Sequence, residues 1–429
     1  MAKIQDDNTL YTILRPFVDH HLLKSFRRYK VIGQENIPQD GACIFGANHT
    51  NTLMDALVLL AMNSEKKVFI ARGDIFKKPF IAKLMHFCRI LPIYRIRDGF
   101  KSVKDNNSEI IDKAADVVRD NVKLFLYPEG SHRTKHSLRQ LSKGIFHIAL
   151  QANNQFGHEK PVYIVPTGIE YGDYFRYRST VLINFGEAIN VTEFVNQHKD
   201  ENEAVIMNGL RELLSERLSK QISFIPDSEE NYEAIWELTK IKSGLKGSLD
   251  SRLYRNQETI KEILDFKERE PEKAEELFEK VNKFIKKRKK GGISVTSVTK
   301  EKPCLTALWK TLVTILGLPL YAAAAVSTLP IWLVTMFLKK SFKDKAWGNT
   351  ISFAVEAILH PIMMIACIAL TFCLLPWEFA LAGSVIYYFC YMYFVDFSEF
   401  IRRWASDIRW CFNKKLRKSK LPKIKGFLK

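Results

Sequence analysis

Paired cysteines are missing from this chain. The seven it has stand singly at 43, 88, 304, 367, 373, 390 and 411. With no Cys-x-x-Cys spacing, neither a disulfide framework nor a thiolate metal site is expected, and the thiols suit a reducing compartment. The opening stretch, MAKIQDDNTLYTILRPF, lacks the unbroken apolar core of a signal peptide, so the N-terminal region is expected to stay cytoplasmic. No segment repeats with the period of a solenoid or propeller. Acidic residues are also in deficit, 47 against 65 basic ones, for a formal net charge of +18. That balance favours polyanionic partners: nucleic acid, anionic lipid or phosphorylated substrates. No nucleic-acid recognition module accompanies the basic run Lys286–Lys290, so headgroup contact or simple solvation is the expectation for it, with no nucleic-acid partner.

What is present is ample apolar material, 47% of 429 residues, enough for two or three domains. Residues 1–28 read as an N-terminal amphipathic helix. Leu10, Ile13, Leu14, Phe17, Val18 and Leu22 recur at helical spacing, beside Arg15, Lys24, Arg27 and Arg28; this suits either an ordinary packing helix or a membrane-surface contact. Residues 29–222 alternate short β-rich runs (43–47, 67–71, 90–94, 123–127, 162–169, 180–186) with helical stretches (53–62, 78–87, 107–119, 143–153). This predicts an α/β domain with a mostly parallel sheet flanked by helices, whose ligands bind at the carboxyl ends of the strands. Residues 223–303 form a charged helical region, 304–400 a membrane domain, and 401–429 a basic cytoplasmic tail.

In the membrane domain, 357–377 and 379–395 are charge-free and near the ~20 residues that a bilayer core requires. The charge-free stretch 311–338 contains Gly317, Pro319 and Pro330 and has basic residues on both flanks: Lys300, Lys302 and Lys310 before, Lys339, Lys340, Lys343 and Lys345 after. Basic flanks belong on the cytoplasmic side. The expectation is two full spans and a Pro-broken re-entrant hairpin at 311–338, with the α/β domain cytoplasmic; one tilted span is the alternative.

Four constellations carry chemistry. Asn48-His49 ends a strand-like run, with Asp55 following; a His at a strand end can act as general base, with an Asp to orient it. Pro128-Glu129-Gly130-Ser131 ends another run, and Lys143 precedes a helix, where a cation and a helix N-terminus seat a phosphate. Arg95 and Arg97 follow the run ending at Tyr94, and Pro166 breaks an apolar strand.

In order and spacing these four blocks resemble those of the glycerolipid phosphate acyltransferases, which acylate glycerol-3-phosphate or lysophosphatidic acid. The resemblance covers about residues 30–190. Length and C-terminal membrane segments look more like the larger, fungal-type glycerol-3-phosphate acyltransferases. The resemblance implies His49 as general base and Asp55 as its orienter. It implies Arg95, Glu129, Gly130, Ser131 and Lys143 as acceptor- and phosphate-binding, and Pro166 in the acyl-donor region. It implies no metal or bound cofactor, only an acyl-CoA or acyl-carrier-protein thioester as substrate, a phosphorylated glycerol as acceptor, and membrane lipids as partners. One departure stands out. The family pattern is His, four residues, Asp, but five residues separate His49 from Asp55. On a regular helix one extra residue turns the Asp by about 100°, so the pairing requires a non-helical start across 50–54.

Overall fold

The run Ala42–Ala47 (β2) is buried at every residue, as expected of a strand covered on both faces in a parallel sheet. The remaining strands are β1 (Phe26–Ile32), β3 (Lys67–Arg72), β4 (Ile90–Ile93), β5 (Lys123–Leu126), β6 (Val162–Tyr171), β7 (Ser179–Phe185) and β8 (Ile189–Asn190). The computed structural model describes residues 3–94, 100–244 and 246–417. Among them the sheet has eight strands in the order β1-β7-β6-β2-β5-β3-β4, with β8 on β6. β2 runs parallel to both β5 and β6, and β3 parallel to β4 and β5. Only β6–β7 and β6–β8 are antiparallel. Phe45 stacks on Phe125 at 4.4 Å, and Phe125 on Phe69 at 5.4 Å, pinning β2, β5 and β3 across one face.

Helices α1 (Thr9–Lys24), α2 (Thr52–Leu60), α3 (Pro79–Phe87), α4 (Phe100–Arg119), α5 (Gly144–Phe156), α6 (Val191–Gln197) and α7 (Glu203–Ser219) complete this unit, Met1–Asp227. The helix expected to reach residue 28 stops at Lys24, and β1 starts at Phe26. The Arg27, Arg28 and Lys30 charges of this strand, which pairs only with β7 at the sheet edge, hide its β character. In α1, Arg15 turns inward to Asp19 (2.8 Å) and the Asn63 carbonyl (2.8 Å). Leu10, Ile13, Leu14 and Phe17 stay exposed.

The second unit, Ser228–Lys429, begins with α8 (Tyr232–Ser243), α9 (Leu249–Arg269), α10 (Pro271–Lys290) and the short α11 (Val295–Val298). The basic run at the end of α10 is not all outward-facing. Arg288 is buried and holds Glu237 of α8 through two bonds of 2.6 and 2.9 Å, and it donates to the Ile293 carbonyl.

Then come α12 (Pro303–Ser327), α13 (Leu329–Ser341), α14 (Gly348–Leu374), α15 (Trp377–Phe412) and α16 (Lys414–Arg417). Among the described residues three helical segments, Pro303–Ser327, Lys345–Leu374 and Trp377–Phe412, are long and apolar enough to cross a membrane. Two of these contain the spans expected at 357–377 and 379–395, and the third, α12, is the first arm of the broken stretch 311–338. The break inside 311–338 is present, but it falls after Thr328, where Pro330 opens α13, while Pro319 is carried inside α12. α15 also runs straight through residue 400, where the tail was expected to begin. α12 lies antiparallel to α15: Trp404 donates to Thr311 (2.7 Å), Tyr393 to the Gly317 carbonyl (3.1 Å), and Tyr321 stacks on Phe394. Buried Asp407 near the end of α15 binds Lys310 at 2.8 Å and also Lys300. α14 and α15 are joined by Leu375-Pro376 alone, so Gly348 and the Asp407 clamp fall at one end of the bundle. The basic residues around 300–310, 339–345 and 402–417 gather there.

Candidate active site

The parallel neighbours β6, β2 and β5 open their carboxyl ends on one rim, and each delivers a piece of the site. Past Ala47, buried Asn48 continues the ladder with its side chain. Its amide donates to the Ile169 carbonyl (3.1 Å) and accepts from the Ile169 N–H (2.6 Å). His49 is thereby fixed at the rim, its side chain 17% exposed and its ring stacked on Tyr127 at 4.4 Å.

The extra residue before Asp55 is absorbed locally. Asn51 sits at φ −140°, ψ 49°, outside the helix, and Thr52 has φ 47°. A β-branched residue in the left-handed region costs on the order of 1–3 kcal/mol and persists only when its surroundings over-determine it. Here they do. Asp55 is fully buried, and its Oδ2 accepts the backbone N–H groups of Thr50 and Asn51, both at 2.8 Å. The same oxygen meets His49 Nδ1 at 2.8 Å, and Oδ1 accepts the Tyr171 hydroxyl at 2.8 Å. An ionised carboxylate only accepts, so His49 Nδ1 must carry the proton and Nε2 is left with a lone pair. Burial, with Asp55 adding to it, pushes the Tyr127 and Tyr171 hydroxyls well above the ordinary tyrosine range, so both remain protonated.

Glu129, after β5, is buried and tied to backbone on both sides: Oε1 accepts the His49 N–H (2.9 Å) and Oε2 the Arg139 N–H (3.1 Å). Burial raises its carboxyl above the usual range, and those two N–H bonds pull the other way. Arg133 N–H closes the loop onto the His49 carbonyl at 2.9 Å. Gly130 has φ 69°, with open space where a side chain would stand, so the turn is readily accessible there. Arg139 Nη1 donates to Ser131 Oγ. Ser142 N–H donates to the Pro128 carbonyl (2.7 Å), which brings the start of α5 against the turn, with exposed Lys143 just before it.

His49, Asp55, Glu129, Gly130 and Ser131 thus come together, with Lys143 alongside. Arg95 lies outside the described residues. Pro166 is buried inside the sheet, paired with Gly46 one residue short of the rim, and its carbonyl accepts from Gly186 (2.8 Å). The sequence reading did not single out Asn48, Tyr127, Tyr171 or Arg139. Tyr127 and Asn48 lie inside blocks it quoted, whereas Tyr171 and Arg139 join the site only through tertiary pairing. The side chains of Thr50 and Asn51 and the Tyr127 hydroxyl are buried with no hydrogen-bond partner among the described residues. Such groups beside a base are candidates for substrate contact.

Residues 28–170 match the family model named Acyltransferase. The chain is similar to the chloroplastic 1-acyl-sn-glycerol-3-phosphate acyltransferase BAT2 of Brassica napus, at 28% identity over 127 residues, 29% of this chain and 34% of that protein. It is similar to 1-acyl-sn-glycerol-3-phosphate acyltransferase beta of Homo sapiens, at 25% over 125 residues, 29% and 43% of the two chains. The chain therefore spans less than half the length of these curated relatives. The crystal structure of the 1-acyl-sn-glycerophosphate (LPA) acyltransferase PlsC from Thermotoga maritima aligns at 19% identity over 48% of this chain and 79% of that one, with a TM-score of 0.33. The stretch matched by that family model contains every described residue of the rim site from Asn48 to Lys143.

Proposed function

We propose that the chain is a membrane-bound O-acyltransferase that moves a fatty acyl group from an acyl thioester to a hydroxyl of a glycerol phosphate, in phospholipid synthesis. The observation that supports this best is the saturated Asp55, which fixes His49 with Nδ1 protonated and Nε2 as acceptor. Nε2 takes the proton of the acceptor hydroxyl as its oxygen attacks the thioester carbonyl, and Asp55 stabilises the imidazolium that forms. The tetrahedral oxyanion then collapses, the C–S bond breaks, and the thiolate leaves with the proton from His49.

The names of the curated relatives favour 1-acylglycerol-3-phosphate as acceptor. The C-terminal apolar helices, a layout similar to that of the larger fungal-type enzymes, support glycerol-3-phosphate. Incubating membranes with labelled acyl-CoA and each acceptor, then identifying the lipid, decides between them; no labelled glycerolipid from either would refute the activity.

Glu129, with both oxygens on backbone amides, acts by positioning His49 and Arg139 and not by gripping the acceptor. The phosphate falls to the cations Lys143 and, newly, Arg139 beside the turn, and to Arg95 as the family resemblance implies. Arg139 uses one nitrogen on Ser131 and offers the rest of its guanidinium. Arg139→Ala is expected to raise the acceptor KM by about 10–100-fold, the loss of a charge-assisted hydrogen bond, while the donor KM hardly moves. Kinetics with each substrate varied separately check this; an unchanged acceptor KM would return the role to Arg95 and Lys143.

The basic end of the membrane bundle is proposed to face the cytoplasm together with the catalytic domain. Cysteines introduced at 339–345 should then be labelled by an impermeant reagent only from the cytoplasmic side. Labelling from the opposite side alone would reverse the assignment.

A further inference from the structure

The helix α3 is apolar yet has no buried residue, and in the turn Gly73–Lys77 before it only Gly73 is buried. Phe80 is 74% exposed, Ile75 45% and Leu84 42%. Phe80, Leu84 and Phe87 follow at i, i+4 and i+7 and so share one face. A soluble helix buries its apolar stripe against the core, and this one leaves Phe80 and Leu84 uncovered, with only Phe87 half-buried. The segment is also basic. Lys77, Lys78 and Lys83 are exposed, no acidic residue occurs from Ile75 to Cys88, and none of the three lysines forms an ion pair among the described residues.

The segment is held in place at both ends. A side chain on Gly73 would collide with the Tyr94 ring at 2.4 Å, and Phe87 packs edge-on against Tyr11 of α1 at 6.0 Å. It leaves the sheet from the carboxyl end of β3, which runs parallel to β5 and thus opens on the same rim as His49.

We propose that residues 73–87 are an interfacial element that inserts into an anionic lipid surface, with Phe80 and Leu84 in the acyl region and the lysines at the headgroups. Three features choose lipid as the occupant. Exposed apolar side chains interleaved with unpaired lysines match the layered chemistry of an anionic bilayer surface. A few lysines beside such a face each add attraction to acidic headgroups. The same chain also carries helices long and apolar enough to span a membrane, so a bilayer is always within tether reach. The consequence for function is access: a lipid-borne substrate meets the rim at the membrane surface and need not leave the bilayer fully.

The test uses the full chain in phosphatidylcholine vesicles containing phosphatidylglycerol, with Phe80 replaced by the photo-crosslinker p-benzoylphenylalanine. A control chain carries it at His158, an exposed position at the opposite rim. Irradiation followed by mass spectrometry should find phospholipid adducts at position 80 and not at 158. The yield at 80 should fall severalfold in pure phosphatidylcholine or in the Lys77→Glu/Lys78→Glu variant. A crosslink from position 80 to a peptide of residues 228–429 or to a second copy would overturn the proposal. So would equal lipid labelling at 158, no lipid adduct at 80, or indifference to lipid charge. No turnover is measured, so this outcome is independent of the acyltransferase reading.

Discussion

His49→Ala is expected to abolish acyl transfer, lowering kcat by about 10²–10⁴-fold, the usual contribution of a positioned general base. The protein should still fold and remain in membranes. The imidazole is partly exposed, and its packing partner is the face of Tyr127; losing such a stack costs about 0.5–1.5 kcal/mol. The backbone bonds at this position, His49 N–H to Glu129 and Arg133 N–H to the His49 carbonyl, survive the substitution. Turnover of labelled acyl-CoA in membranes, beside a thermal unfolding scan, separates chemistry from folding. Retention of more than half the wild-type turnover with either acceptor would remove His49 from the reaction.

Asp55→Asn should cost nearly as much in rate, up to about 10⁴-fold, for a different reason. The amide keeps the volume and one acceptor oxygen, and the Tyr171 hydroxyl can turn from donor to acceptor to meet the new NH₂. The fold should therefore hold. What goes is the negative charge that fixes the tautomer and stabilises the imidazolium, so kcat falls while the acceptor KM stays. Asp55→Ala differs in kind. It strands the Thr50 and Asn51 N–H groups in a buried turn, at roughly 1–3 kcal/mol each, and should lower Tm as well as rate. If Asp55→Asn keeps more than a tenth of wild-type kcat, Asp55 is a structural cap only.

These two residues also show how far the sequence could be read. The strands 43–47, 67–71 and 123–127 were legible because central parallel strands are covered on both faces and appear as unbroken apolar runs. β1 was not legible, because an edge strand tolerates Arg27, Arg28 and Lys30. Neighbouring blocks at strand ends pointed to His49, Glu129 and Ser131. The five-residue spacer to Asp55 posed a conflict that only backbone geometry resolves, through the left-handed Thr52. Tyr171 and Arg139 carry no local signal, since they meet Asp55 and Ser131 through pairings between distant segments. In the second unit, apolar length revealed the helices that are long and apolar enough to cross a membrane. The prolines announced the break inside 311–338, though not that Pro319 would be carried within α12, and the charges after 395 hid the long run of α15.

The site is assembled by contacts between remote parts of the chain. Asn48 finds Ile169 across 121 residues, and Asp55 finds Tyr171 across 116. Pairings this distant must overcome loop-closure entropy before they repay it, and parallel strands form slowly for that reason. A nascent chain that has made only its local helices and the α2 turn has the His49–Asp55 pair but lacks the Asn48–Ile169 and Asp55–Tyr171 bonds that anchor it to the sheet. Those anchors form only when β6 closes on β2. On the proposed reading of His49, its full anchoring therefore comes late in folding, after the sheet centre is complete.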